Sequence, residues 1–237
     1  MRLTSLFTFT LALFLVALAG VDAGPSAPEL GIPVYGAKVG GQIAPDGTTE
    51  LALDFPGRLH RHNVASPPGT NNGCCVFTSI HHAALWQDVP ELQEFPKWIQ
   101  SKRLSGGGYP GNVDQRIAAI CAERKVAKPE YLQFEGWDYA LVKAAIGSGR
   151  MVSGTYSHSP TGRYGGQKIA HMVNYVHADD QWVAVLDNNY MPSAGKLDHP
   201  DNYEWMTPAE MQTTNAPGGR GWIVVLLKQG PPLPPCN

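Results

Sequence analysis

Beyond its N-terminal segment, the sequence has no long apolar run, no basic stripe, no internal repeat and no cysteine or histidine pair at metal-ligand spacing. Each absence removes a class of function. Without a Cys-x-x-Cys or His-x-x-x-His pair, a structural zinc on Cys74, Cys75 and two histidines has no support, and no metal or other cofactor is expected. Net charge is −2 and the basic residues are scattered, so no nucleic-acid partner is expected. No stretch after residue 23 is apolar enough to span a bilayer, so the mature chain is expected to carry no membrane span. Glycine and proline are by contrast plentiful, at 26 and 20, and cluster at the ends and in two loops.

The one long apolar run lies at the start. Arg2 supplies a minimal positive region, Leu6 to Gly20 carries no charge, and Val21-Asp22-Ala23 puts small residues at a cleavage position. This is a secretory signal pattern, and the run is shorter than the ~20 residues a spanning helix needs. No cysteine sits at the cleavage point, so nothing suggests a lipoprotein. The expected product is a secreted or periplasmic, extracytoplasmic monomer. Its domain organisation reads as a signal peptide at 1–23, an extended leader at 24–60, one domain at 61–230 and a Pro-rich tail at 231–237. Four cysteines in an exported chain suggest disulfides. A Cys74–Cys75 bridge is sterically awkward, leaving pairings of that step with Cys121 and Cys236.

Helical spacing of Val76, Phe77, Ile80, Ala83 and Ala84 predicts a helix from Cys75 to Gln87, capped by Asn71 or Asn72. Further helices are expected at Glu91–Gln100, Asn112–Arg124 and Trp137–Ile146, the last capped by Asp138 and ended by Gly147-Ser148-Gly149. Strands are expected at Met151–Tyr156, Ile169–Val176, Trp182–Asp187 and Trp222–Lys228. His177-Ala178-Asp179-Asp180 forms a turn that makes the middle two a hairpin. Glu50–Phe55 reads as a short edge strand. Helices first and strands last describe an α+β domain.

The chemistry concentrates in three places. Cys75 opens the first helix, where unpaired N–H groups and the helix dipole favour a thiolate, and Cys74 lies one residue earlier. Gly73 lets a substrate approach closely, and adjacent N–H groups can bind an oxyanion. His171 opens a later strand, and Asp187, Asn188 and Asn189 close the next one, in reach of an imidazole that needs an orienting acceptor. The other histidines make poorer bases. His81 and His82 lie roughly 9–10 Å along the helix from Cys75 at 1.5 Å per residue. His60 and His62 fall in an irregular segment expected to be exposed. Against each residue stands a plainer reading, namely a bridged cysteine, a core histidine and ordinary turn residues.

Taken in order, Asn72-Gly73-Cys74-Cys75-Val76-Phe77, Leu141 to Val152, Ala170-His171-Met172-Val173 and Tyr203 to Met211 resemble the papain-like cysteine peptidase superfamily, especially its C39-like bacterial branch. The likeness covers roughly residues 65–228. It implies a papain-like fold with the nucleophile helix packed against an antiparallel β-sheet, and a late short helix at Tyr203–Met211. It also implies Cys75 as nucleophile, with Cys74 as the competing candidate, and His171 as general base and acid. The third member is Asn188, shielded by Tyr190 as in papain-type enzymes, or Asp187 as in the C39-like branch; Asn188 is preferred. The family's oxyanion glutamine is replaced here by Gly69, leaving Asn72 or Asn71 with Gly73 and Cys74 as oxyanion and substrate-binding candidates. The implied substrate is a peptide or protein. The alternative is an inactive papain-fold protein that binds peptide or cell-wall ligands.

Overall fold

The structure, a computed structural model, describes residues 38–156, 162–164, 169–215 and 221–231. The expected signal peptide and any bridge to Cys236 fall outside the described residues. The helices are α1 (Cys75–Trp86), α2 (Phe95–Ser101), α3 (Pro110–Arg124), α4 (Tyr139–Gly147) and α5 (Pro208–Asn215). The strands are β1 (Lys38–Gly40), β2 (Tyr131–Glu135), β3 (Val152–Thr155), β4 (Met172–Ala178), β5 (Val183–Leu186), β6 (Tyr203–Met206) and β7 (Trp222–Leu226). They form a sheet of 7 strands in the order β1-β6-β5-β4-β3-β7-β2, with every pairing antiparallel. The protein is therefore α+β, as expected.

Helix α1 is the centre of the molecule. Every residue from Cys75 to Ala84 is buried, so the helix shows little polar face. Its buried polar groups are tied to β4. Ser79 Oγ donates to Met172 O at 3.0 Å, and Asn174 Nδ2 donates to Ser79 O at 2.9 Å. These bonds fix how far along β4 the helix sits, since a buried unpaired polar group costs about 1–3 kcal/mol.

The start of α1 differs from expectation. Its N-cap is Cys74, and neither Asn71 nor Asn72 caps it. The cause is strand-like pairing of the preceding turn: Ala65 bridges Gly73 antiparallel, and Cys74 N–H donates to Val64 O at 2.8 Å. That ladder, rather than a side chain, sets the entry angle.

Other departures have local causes. The expected helix Glu91–Gln100 is broken into a 3-10 turn at Pro90–Leu92 and α2, because Pro96 is tolerated only in a first turn. Glu94 sits at φ 60° between them and gives its N–H to His81 Nδ1 at 2.9 Å. Glu50–Phe55 is not a strand; Leu51, Leu53 and Phe55 alternate inward, but only single bonds such as Leu53 N–H to Val176 O at 2.9 Å anchor it. The expected late helix begins only at Pro208, since Tyr203–Met206 is the buried strand β6. Asp138 does cap α4, accepting from Leu141 N–H at 3.0 Å.

The β4–β5 hairpin forms as expected, with Asn174 opposite Leu186 and Ala178 opposite Val183. Next to it, Gly154 on β3 is required by packing: a Cβ there would lie 2.5 Å from the Tyr175 ring. Among the described residues no helix is long and apolar enough to cross a membrane.

Candidate functional site

The first turn of α1 and the first residues of β4 meet in a cleft of about 640 Å³. Cys75, His171, Asn72 and Gly73 all line it. Cys74 does not; it is fully buried, on the Ser66 side of the turn. Burial and the neighbouring Cys75 push the Cys74 thiol up to about 11. The two adjacent cysteines are thus chemically distinct. Cys74, Cys75 and Cys121 are free thiols.

Burial alone would push the Cys75 thiol up, but a hydrogen bond from His171 and its positive charge bring it below the ordinary thiol value. The backbone N–H groups of Met172 and Val76 also support the sulfur. His171 moves the other way. Burial opposes its charge, yet the Asp187 carboxylate and the Cys75 sulfur raise it to about 9. The two shifts favour a thiolate–imidazolium pair around neutrality.

His171 Nε2 lies 2.8 Å from Asp187 Oδ1, which leaves Nδ1 for the sulfur. Asp187 is fully buried and holds its charge through three donors: the His171 ring, the Asn189 N–H at 2.8 Å and the Tyr164 hydroxyl at 2.6 Å. Burial would raise its pKa; His171, Tyr164 and Arg163 bring it below the usual carboxylate range. Tyr164 also packs edge-on against His171, with ring centroids 6.1 Å apart.

The preference for Asn188 as third member is overturned by this geometry. Asn188 Nδ2 donates to Met172 O at 3.0 Å, Ser79 Oγ at 2.9 Å and Cys75 O at 3.2 Å. It clamps α1 to the β4–β5 end instead of orienting the imidazole. β5 ends at Leu186 and the chain turns at Asn188-Asn189, closed by Tyr190 N–H donating to Asp187 O at 3.1 Å, which sends the Asp187 and Asn188 side chains to different partners. Tyr190, the expected shield, donates to Arg163 O at 2.7 Å, and Tyr164 takes the place beside the ring.

Several participants were not anticipated. Asn63 lies in the cleft wall, with Nδ2 donating to Asn189 Oδ1 at 3.1 Å. Behind Asp187, the fully buried Glu204 accepts from Tyr156 and lies 3.9 Å from Arg163. Burial raises the Glu204 carboxyl to about 8, with Tyr156 and Arg163 opposing. None of these residues sits in a motif or at a spacing that marks it in the sequence.

Nor is His60 exposed. It is 2 % exposed, in a second histidine group with His81 and His82. His60 and His82 ring centroids are 4.9 Å apart, and those of His81 and His82 are 5.9 Å apart. The described residues bring together no group of three His, Cys, Asp or Glu side chains placed to hold a metal ion.

On the other side of the cleft, the Gly106–Gly108 loop lies directly on the turn that opens α1: a Cβ at Gly106 would meet Asn72 O at 2.4 Å, and one at Gly108 would meet Val76 at 2.5 Å. Ile169, Met172 and Trp222 supply an apolar wall. Among the described lining residues there is no carboxylate, lysine or arginine. Comparison with known protein families and with curated proteins finds no match for this chain.

Proposed function

We propose that the protein is an exported papain-like cysteine hydrolase that cleaves peptide or amide bonds with Cys75, His171 and Asp187. The observation that carries this reading is the hydrogen-bonded series Cys75–His171–Asp187 opening into a cleft, with the thiol lowered and the imidazole raised. The Cys75 thiolate attacks the scissile carbonyl carbon, forming a C–S bond and moving the carbonyl π pair onto oxygen. Collapse of that intermediate breaks the C–N bond, and the imidazolium gives its proton to the leaving amine. Water, deprotonated by His171, then releases the acyl group from sulfur. Asp187 holds the ring and stabilises its positive form throughout.

With no carboxylate, lysine or arginine among the described lining residues, the cleft favours a peptide recognised through its main chain, with Gly107 and Gly108 allowing close backbone approach. The test is Cys75→Ala, with Cys74→Ala as the matched control, assayed on a fluorogenic casein and a peptide library. Cys75→Ala should be inactive but folded, and Cys74→Ala should keep activity; full activity in Cys75→Ala would sink the assignment. The rival reading, a catalytically inactive binder of peptide or cell-wall ligands, draws on Gly69 standing where the family carries its oxyanion glutamine. A wild-type protein that binds peptide but leaves Cys75 unlabelled by iodoacetamide at pH 6 would favour that rival.

A further inference from the structure

Acyl transfer needs donors aimed at the oxygen that becomes negative, and these are worth most when held rigid in a water-poor site. The backbone N–H of Cys75, at the start of α1, is one such donor by position. A second is needed from a side chain. We propose that the Asn63 side-chain amide is that donor, so that Asn63 is a catalytic residue of the hydrolase reading given above.

Three observations converge on Asn63. The first is place. Ala65 pairs antiparallel with Gly73, and Cys74 N–H bonds Val64 O at 2.8 Å, which brings the segment carrying Asn63 alongside the turn that opens α1. Asn63 lines the same cleft as Cys75 and His171. Its side chain lies so close to position 73 that a Cβ there would sit 2.6 Å from Asn63 Nδ2, so glycine at 73 is what admits the amide.

The second observation is polarity. The Asp187 carboxylate can only accept, so the Tyr164 hydroxyl donates to it at 2.6 Å. That hydroxyl therefore accepts from Asn189 Nδ2 at 3.0 Å, which turns Asn189 Oδ1 toward Asn63. Asn63 must then present Nδ2, which donates to Asn189 Oδ1 at 3.1 Å. One N–H of that nitrogen is used. The other makes no hydrogen bond among the described residues. Asn63 Oδ1 is buried with no partner among the described residues, yet a flipped amide would set two carbonyl oxygens face to face. The carboxylate that orients the imidazole thus also fixes the orientation of the Asn63 amide.

The third observation is rigidity. Asn63 N–H donates to Asn188 O at 2.6 Å, and the exposed His62 ring lies between Asn63 O at 2.6 Å and Asn189 O at 3.0 Å, donating to one of them in its neutral form. The amide is bolted to the strand end that carries Asp187. A donor held this way loses little on reorganisation as the oxyanion forms. The candidates expected from sequence, Asn71 and Asn72, also line the cleft but are exposed, and no comparable network sets their amides.

The test separates oxyanion binding from thiol activation. Dipeptide aldehydes add the Cys75 sulfur to their carbonyl and need the oxyanion donors; iodoacetamide loses iodide by direct displacement and does not. Asn63→Ala and the isosteric Asn63→Asp should weaken binding of the best of a panel of acetyl-dipeptide aldehydes by about a hundredfold or more, as for loss of one oxyanion donor. Their alkylation rate by iodoacetamide at pH 6 should stay within about threefold of wild type, because the thiolate is made by His171. Unchanged aldehyde affinity in both folded variants overturns the proposal, and so does a parallel fall in alkylation, which marks a purely structural role. Failure of the underlying hydrolase reading looks different: wild-type Cys75 is then alkylated no faster than a free thiol at pH 6, or binds none of the aldehydes.

Discussion

Two groups of buried histidines sit in this domain, joined through α1, and they carry opposite charge states. His171 is raised to about 9, whereas His60 and His81 are lowered to about 4 and His82 lies well below the ordinary value. Burial opposes the charge in all four, so burial does not distinguish them. What differs is the polarity of the neighbours. The ring of His171 faces a carboxylate and a sulfur that both accept. His82 Nε2 instead accepts from Arg61 N–H at 2.9 Å, and His81 Nδ1 accepts from Glu94 N–H at 2.9 Å, so protonation would set donor against donor. His60 finds no partner for either ring nitrogen among the described residues. His171 is held toward its charged form by acceptors on both sides, whereas the His60, His81 and His82 imidazoles are kept neutral within the core.

The sharpest way to break that contrast is to remove the charge that sustains it. Asp187→Asn keeps the shape but withdraws the negative partner of His171. Amide hydrolysis should fall about a hundredfold or more, and the midpoint of the pH dependence of alkylation should move upward. An unchanged pH profile would mean that Asp187 does not maintain the ion pair. Asn188→Ala probes the seam between the two groups and should act on stability instead. Losing the buried hydrogen bonds that Nδ2 donates, its two hydrogens shared among Met172 O, Ser79 Oγ and Cys75 O, should destabilise by about 2–3 kcal/mol in urea unfolding while leaving the alkylation profile in place.

The neutral group is tested by acid. Its folded values lie below the unfolded value of 6.5, so their contribution is intact above pH 6.5 and is lost as pH falls toward 4. His171 runs the opposite way: its contribution is full below 6.5 and is lost as pH rises through about 9. His60→Phe should therefore recover about 1–2 kcal/mol of the stability lost between pH 7 and pH 5, read from urea midpoints at both values. An unaltered acid slope would show that His60 titrates normally. The smallest effect belongs to Tyr164→Phe. It removes one of three donors to Asp187 and should lower kcat about tenfold, in line with the ~1.5 kcal/mol at the low end for a single hydrogen bond to charge.

Much of this was readable before the fold was known. Helix α1, the Asp138 cap, the β4–β5 hairpin and the order Cys75, His171, then Asp187 or Asn188 all follow from local pattern. Strand β6 did not, because all four of its residues are buried and a strand covered on both faces loses its alternation. The choice between Asp187 and Asn188 turns on a register, Asn174 opposite Leu186, that no local signal encodes. The same is true of Cys74 against Cys75, which one step of a turn separates into core and cleft. Asn63 and Tyr164 are invisible for a further reason. Each matters only through a partner far along the chain, and asparagine and tyrosine are ordinary residues in a loop.

The pairing of a thiol at the start of α1 with an imidazole just ahead of β4 has a consequence for how the chain matures. Unfolded, Cys75 is an ordinary cysteine that reacts slowly at pH 6 and is no different from Cys74 or Cys121. Its reactivity appears only when two segments distant in sequence have docked, and the same turn that presents Cys75 buries Cys74. Folding therefore switches on one sulfur and hides its neighbour in the chain. A brief pulse of iodoacetamide during refolding becomes a clock for that step, with Cys74 losing label and Cys75 keeping it as the helix seats on the sheet.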